Sequence, residues 1–173
     1  NYFVIDKRHP PFYIDIKPEF PERIHPDALS KNREACLRAC EKGFDRYKAA
    51  DLFFDWYKKL NLGFNKYGSD TKKLIPLGHN IIAFDIPFIK EWLGSDVYDE
   101  HFFYIPRDTM ITVAYLNDTA GMHFENVPFP KYGLRWITTH LNVPLDKHHD
   151  ALADCIATIE VYKKLTSKGL VHV

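Results

Sequence analysis

Two histidines and two aspartates stand at the start of the last predicted helix, in KHHDALADCIATIEVYKKL. Asp150 and Asp154 are four residues apart, so a helix places them on one face, with His149 just ahead of its first turn. Like charges at this spacing repel, although a helix N-terminus favours anions. In one interpretation Asp150 is the N-cap, Asp154 is a surface acid and the histidines are loop residues. In the other, Asp154 lies near the packed face and needs a partner such as a divalent cation.

A second acid lies in unusual surroundings, within LGHNIIAFDIPFI. Asp85 stands between Phe84 and Phe88, where an acid that is buried must be paired, protonated or linked to a metal. His79 and Asn80 precede it at the predicted end of a strand, and we interpret them as donors that hold the loop. This stretch therefore predicts a strand–helix junction that carries a carboxylate.

Together the two stretches have the residue types needed for metal-assisted cleavage of a phosphodiester. Asp85 and Asp154 offer the oxygen ligands that Mg²⁺ or Mn²⁺ prefers. His149 is a candidate to take a proton from water, because the pKa of histidine lies near neutrality.

The elements that must position these residues alternate along the chain, which predicts one α/β domain over 1–173 with a central mixed sheet flanked by helices. Strands are predicted as a hairpin of 2–6 and 12–18, then at 73–78 and 101–109. Helices are predicted at 25–42, 47–60, 81–94, 134–142 and 150–165, whereas 110–117 is compatible with helix or strand. A polar loop is expected over 61–73. Residues expected to pack on helix faces are Ala50, Phe53, Phe54, Tyr57, Leu134, Ile137, Leu141, Ile156, Ile159 and Tyr162.

Composition excludes several classes of protein. Lys plus Arg equals Asp plus Glu at 23 each, so no global basic field is available for a polyanion, which must be met by a local patch or by bound cations. The three cysteines contain no CxxC pair, which argues against a disulfide framework or a zinc knuckle. No apolar run approaches the ~20 residues that cross a bilayer. We expect a cytoplasmic protein, or a nuclear one in a eukaryote, that is neither secreted nor bound to a membrane.

The motifs resemble those of the DEDDh 3′–5′ exonucleases, the DnaQ-like group with a ribonuclease H-like fold. GHNIIAFDIPFI is similar to the second exonuclease motif, H-N-x-x-F-D, and HHDALADC is similar to the third, a histidine and an aspartate separated by four residues. PRDTMITVAYL resembles the Asp-Thr segment between those motifs, and KYGLRWITTHLNV resembles the helix that leads into the third. The opening segment is similar to the second and third strands of the family, so the resemblance covers nearly the whole chain.

The resemblance implies a two-metal mechanism that releases nucleoside monophosphates from single-stranded 3′ ends. Asp154 would be a direct ligand and Asp85 a ligand partly through water, for two Mg²⁺ or Mn²⁺ ions, and His149 would be the general base. Phe88 and Tyr132 are candidates for base stacking, beside core packing as the alternative for each. Lys147, Lys131 and Arg107 are candidates for phosphate contact. The choice between DNA and RNA, a polymerase or other replication partner and the oligomeric state stay open.

The first motif of the family, D-x-E, has no counterpart in the chain. Asp6-Lys7-Arg8 and Asp15-Ile16-Lys17 each put a cation where the glutamate belongs. Because the chain opens inside an apolar run, we expect the first strand and its two acids upstream of Asn1, and we expect the 173-residue chain alone to bind metal poorly. The alternatives are a non-catalytic nucleic-acid-binding module on the same fold and, prompted by His149-Asp150, an all-helical HD-type phosphohydrolase.

Overall fold

The computed structural model describes residues 10–60, 73–123, 126–145 and 150–169, and it is mostly helical with a small parallel sheet. The mixed α/β class is therefore confirmed at this level. The chain divides into two compact units, Val4–Lys72 on the one hand and Lys73–Val173 with Asn1–Phe3 on the other. The prediction of one domain over the whole chain stays a prediction.

The unit of Val4–Lys72 contains two helices with polar caps. A short 3-10 helix at Pro21–Arg23 precedes α1 (Pro26–Lys42), and α2 spans Arg46–Lys59. The side chain of Asp45 caps α2 by accepting from the backbone N–H groups of Tyr47 and Lys48, each at 3.0 Å. Both helices match the prediction, and Phe53 on α2 is buried as expected.

The strand predicted at 12–18 is wrong over most of its length. Of its residues, only Ile16 pairs, in a single parallel bridge with Phe44, and the run 2–6 expected to complete the hairpin lies outside the described residues. The segment is held by its surroundings instead. The ring of Phe12 packs 5.6 Å from those of Phe53 and Trp56 on α2, and Arg38 on α1 binds the Asp15 carboxylate through Nε at 2.6 Å and Nη2 at 3.0 Å. Contacts with the two helices thus replace the expected strand partner.

The unit that begins at Lys73 carries the sheet and five helices in its described residues. In order these elements are β1 (Leu77–Gly78), α3 (Asp85–Leu93), α4 (Ser95–His101), β2 (Arg107–Asp108), α5 (Thr109–Met122), α6 (Leu134–His140) and α7 (Ala151–Gly169). β1 pairs with β2 in parallel, with Leu77 opposite Arg107 and Gly78 opposite Asp108. Of the segments 73–78 and 101–109, where strands were expected, only these two residues each form a strand, with one isolated bridge between Leu74 and Phe102. The sheet was expected to be mixed, whereas the described strands pair in parallel. α3 holds Pro87 in its first turn, as predicted. The stretch that was left undecided forms α5.

In the described residues, side chains of α5, α6, α7 and the segments next to α6 form an apolar cluster. Its members are Val113, Phe129, Ile137, Leu141, Val143, Ala157, Val161 and Leu165, each at most 6% exposed, and Leu134 packs against them. The inward positions predicted for α6 are therefore confirmed. Those predicted for α7 are wrong for Ile156, which is 41% exposed, because the buried face follows Ala157, Val161 and Leu165 instead. None of the helices in the described ranges has the length and apolar character needed to cross a membrane.

Candidate active site

The carboxyl ends of β1 and β2 lie side by side, and this edge of a parallel sheet commonly carries a site. Because Gly78 is in register with Asp108, the next residues, His79 and Thr109, also meet. Nδ1 of His79 lies 2.9 Å from Oγ1 of Thr109, whose hydroxyl donates to the carbonyl of Gly78 at 3.3 Å. His79 thus joins the two strand ends, which agrees with the structural role inferred for it from the sequence.

Asp108 ties the turn after β1 to the start of α5. Its carboxylate is 6% exposed; Oδ1 accepts from the N–H groups of Asn80 at 3.0 Å and Met110 at 2.9 Å, and Oδ2 accepts from that of Ile82 at 3.3 Å. Asn80 has a φ of 59°, a left-handed conformation that asparagine tolerates better than most residues. The sequence analysis placed Asp108 in the Asp-Thr segment but did not include it among the predicted site residues. Its signal is an aspartate directly before a helix, which is typical of an N-cap.

Asp85 is the first residue of α3, and its carboxylate is exposed, so the expectation of a buried acid is corrected. The turn before it is short and hydrogen-bonded, with Phe84 N–H donating to the Asn80 carbonyl at 3.1 Å and Ile86 N–H to the Ile81 carbonyl at 3.0 Å. Partial loss of hydration at the helix start raises the pKa of Asp85, the charge of Asp108 raises it further, and the residue's own backbone amide opposes the shift. A bound cation would relieve this cost of the charged form.

Asp150 and Asp154 have different roles at the start of α7. Asp150 caps the helix, since its Oδ1 accepts from the Ala153 N–H at 2.9 Å and its carbonyl accepts from the Asp154 N–H at 2.9 Å. Asp154 is half-buried and leads the inward face that continues through Thr158 and Val161. The first interpretation is therefore confirmed for Asp150. For Asp154, the position beside a packed face agrees with the second.

The structure brings Asp85 and Asp154 into the same neighbourhood. Burial raises the pKa of the Cys155 thiol, and the charges of Asp85 and Asp154 raise it further, so both carboxylates act on one sulfur atom. β1 also contacts α7, which places the end of the strand near the helix that carries Asp154. Within the described ranges, no group of three or more His, Cys, Asp or Glu side chains is arranged to hold a metal ion.

The remaining predicted site residues fall into two groups. His149 and Lys147 lie in 146–149, outside the described residues, so the general base and this phosphate contact stay predictions. Phe88 is 64% exposed and its ring centre lies 5.1 Å from that of Phe84, so it is not a core residue. Its availability for stacking agrees with the substrate-binding prediction.

Tyr132 lies in the loop before α6 and is 42% exposed, although its hydroxyl accepts from Nδ2 of Asn117 at 3.2 Å. Asn117 is buried and also bonds both backbone groups of Phe129, at 2.7 Å and 3.0 Å, so it holds this loop against α5. No sequence pattern indicated a role for Asn117. Lys131 is exposed and Arg107 is half-buried, with Nη1 donating to the Ile105 carbonyl at 2.8 Å.

Comparisons of the chain with protein-family models, with curated proteins and with solved structures found no match.

Proposed function

We propose that the chain is the greater part of a metal-dependent 3′–5′ exonuclease domain of the DEDDh type with a ribonuclease H-like fold. The observation that carries the proposal is that two carboxylates from distant segments both lie close enough to Cys155 for their charges to raise the pKa of its thiol. Asp85 starts α3 and Asp154 lies in the first turn of α7, and both act on the Cys155 thiol. The motif order and spacing described above support the same assignment.

Asp85 and Asp154 fit a hard divalent cation, since carboxylate oxygens are the ligands that Mg²⁺ and Mn²⁺ prefer. The pKa of Asp85 is raised, so the charged form of its carboxylate is disfavoured. A bound cation would stabilise that charged form. Bound metal ions would supply charge stabilisation for the phosphate undergoing cleavage. His149 would take a proton from the attacking water, and the exposed ring of Phe88 would support the terminal base.

The two further acids of such a site have no counterpart among the motifs of the chain. Asp15 does not substitute for them, because Arg38 binds both of its carboxylate oxygens. Asp150 does not serve as an additional ligand either, since it caps α7, and this removes the main reason to consider an HD-type phosphohydrolase. The DNA or RNA identity of the substrate stays open.

The test is digestion of a 5′-labelled single-stranded oligonucleotide by the protein with its natural upstream sequence, in Mg²⁺ or Mn²⁺. We expect a ladder that shortens from the 3′ end and that both EDTA and Asp154→Asn abolish. Asp150→Asn is the matched control, because asparagine caps a helix about as well as aspartate, and this variant should cleave like the wild type.

The contrary result is equally informative. If the intact protein binds the oligonucleotide without cleaving it, the chain is the non-catalytic nucleic-acid-binding module. The exonuclease assignment would also fail if cleavage persisted unchanged in Asp154→Asn.

A further inference from the structure

The turn between β1 and α3 determines where Asp85 lies, and its internal hydrogen bonds, from Phe84 and Ile86, leave the N–H groups of Asn80 and Ile82 to be bonded by a residue outside the turn. Only residues 79–84 separate the strand end from the helix. Asn80 has a positive φ, which is less favourable for any residue with a side chain than the usual backbone regions. Such a conformation persists when surrounding contacts favour it.

Asp108 supplies those contacts from outside the turn. Its carboxylate, on the neighbouring strand, accepts hydrogen bonds from the N–H groups of Asn80 and Ile82. These are the second and fourth residues of the turn. Its own position is fixed by the pairing of β2 with β1 and by its bond to Met110 at the start of α5. The anchor is therefore rigid, while the residues it holds are not part of a helix or strand.

The chemistry of this anchor requires a carboxylate. Three N–H donors meet two oxygen atoms, and hydrogen bonds to a charged acceptor are about twice as strong as neutral ones. An asparagine has only one acceptor oxygen, and its second terminal atom is an NH₂ group, which is a donor. That NH₂ group would face either the N–H of Ile82 or the N–H groups of Asn80 and Met110, and donors do not bond to donors. Because both oxygens are already engaged by the backbone, Asp108 is not an additional metal ligand in this arrangement.

We propose that Asp108 is a positioning residue for the proposed exonuclease site: by accepting hydrogen bonds from the N–H groups of Asn80 and Ile82 it fixes the start of α3, and so the place of the Asp85 carboxylate. This inference rests on the proposed function for its catalytic consequence, although the holding of the turn is independent of it. No part of it requires Asp108 to touch the substrate.

The first measurement is amide hydrogen exchange in the protein with its natural upstream sequence, comparing wild type, Asp108→Asn and Thr112→Val. Thr112 is the matched control, since it lies in the first turn of α5 and bonds the Asp108 carbonyl at 2.9 Å, but does not reach the turn. We expect the Phe84 and Ile86 amides to exchange ~10–100-fold faster in Asp108→Asn, because unsatisfied N–H groups in the turn favour its local opening by about this factor. In Thr112→Val these amides should exchange within ~3-fold of wild type, because the turn keeps its hydrogen bonds. Equal exchange in the two variants would overturn the proposal.

The second measurement separates positioning from a general loss of structure. In Asp108→Asn we expect kcat to fall ~10–100-fold with KM for the oligonucleotide nearly unchanged, and raised Mn²⁺ to recover part of the loss. Thr112→Val should keep kcat within ~2-fold, as expected for a contact that does not orient the reacting groups. A fall in kcat that Mn²⁺ leaves untouched, or that Thr112→Val reproduces, would contradict a role in placing Asp85.

Two further outcomes keep the claims distinct. If Asp108→Asn does not fold, Asp108→Ser replaces it, because serine still caps α5 but lacks the second oxygen. The exchange of the Asn80 and Ile82 amides can in any case be measured in the wild type. Unprotected Asn80 and Ile82 amides in the wild type would overturn the proposal without any variant. Failure of the wild type to cleave would remove the proposed function, while the exchange data would still decide whether Asp108 holds the turn.

Discussion

Asp150 and Asp154 show how the position of a residue, more than its type, determines its use. Both are aspartates at the start of α7, yet the first accepts the Ala153 N–H as a cap and the second begins the face that packs inward. Capping gives the Asp150 carboxylate a backbone partner. Asp154 lies beside a packed face, where a bound cation would offset the cost of burying its charge.

His79 allows a prediction about pH. Burial lowers its pKa, and this outweighs the opposing effects of Asp108 and of the Tyr132 backbone. Nε2 is also buried, with no hydrogen-bond partner in the described part of the chain. Because the unfolded chain takes up the proton first, this residue's contribution to stability is complete above the ordinary histidine pKa of 6.5 and is lost as the pH falls towards the lower folded value.

We therefore expect wild type to lose more stability than His79→Gln when the pH is lowered from about 7.5 to about 5.5, in the range where histidine titrates. The measurement is urea unfolding at each pH. His123→Gln, at an exposed position after α5, is the control and should follow the wild type. Parallel pH profiles for wild type and His79→Gln would refute the assignment.

Gly78 is the last residue of β1, and Ile81 in the turn that follows leaves no room for a side chain there. A Cβ there would lie 2.6 Å from Cβ of Ile81 and 2.9 Å from its Cγ1, and Ile81 is 6% exposed. The contact involves the base of the isoleucine side chain, so a rotamer change does not relieve it. The close packing of Ile81 on the strand end thus depends on a glycine.

Gly78→Ala is accordingly expected to destabilise the protein by about 1–3 kcal/mol, the usual cost of overpacking. Gly121→Ala is the matched control, since a Cβ at this position near the end of α5 meets nothing within 4 Å. Alanine there should stabilise by up to about 1 kcal/mol, because it favours helix more than glycine. Denaturant unfolding measures both, and a neutral Gly78→Ala would show that the turn has room to shift.

Local patterns predicted the elements that depend on local chemistry, and failed where distant contacts decide. Apolar periodicity and end signals located α1, α2, α3 and α6. They could not settle α5, whose apolar residues lie all round it, with Val113 buried and Tyr115 exposed. The run 12–18 has the alternation of a strand, but its side chains pack on α1 and α2 instead.

The candidate site was predicted in the same uneven way. Asp85 and Asp154 were found because their motifs are contiguous in the sequence, and in the structure the charges of both raise the pKa of the Cys155 thiol. Asp108 and Asn117 were missed because their partners lie 28 and 12 residues away, and nothing local indicates such bonds. The family's first two acids have no counterpart in the chain, so the sequence predicts an incomplete ligand set.

At the scale of the whole molecule, the balance of charges leads to a prediction about salt. Lys plus Arg equals Asp plus Glu, and the sequence offers Lys131, Arg107 and Lys147 as candidate phosphate contacts. If these three neutralise phosphates, the slope of log Kobs against log salt for a single strand should be no steeper than about −2, at ~0.7 for each contact.

Fluorescence anisotropy of a 5′-labelled oligonucleotide measures this slope, with Asp154→Asn used to prevent cleavage. Lys131→Ala should make the slope shallower by ~0.7, whereas Lys48→Ala, at an exposed position on α2, should leave it unchanged. A slope steeper than about −4 would instead indicate an extended cationic track.

The parallel pairing of β1 with β2 has a thermodynamic consequence for the contacts at its end. Joining His79 to Thr109 closes a loop of 30 residues, which costs about 3 kcal/mol of chain entropy by the usual logarithmic relation. This entropy is lost only once, when the first contact closes the loop. The bonds of Asn80 and Ile82 to Asp108 span the same junction and add no comparable loss. Each bond therefore helps to keep the loop closed for the others. The junction opens and closes as one cooperative unit, so substitutions on its two sides have non-additive effects.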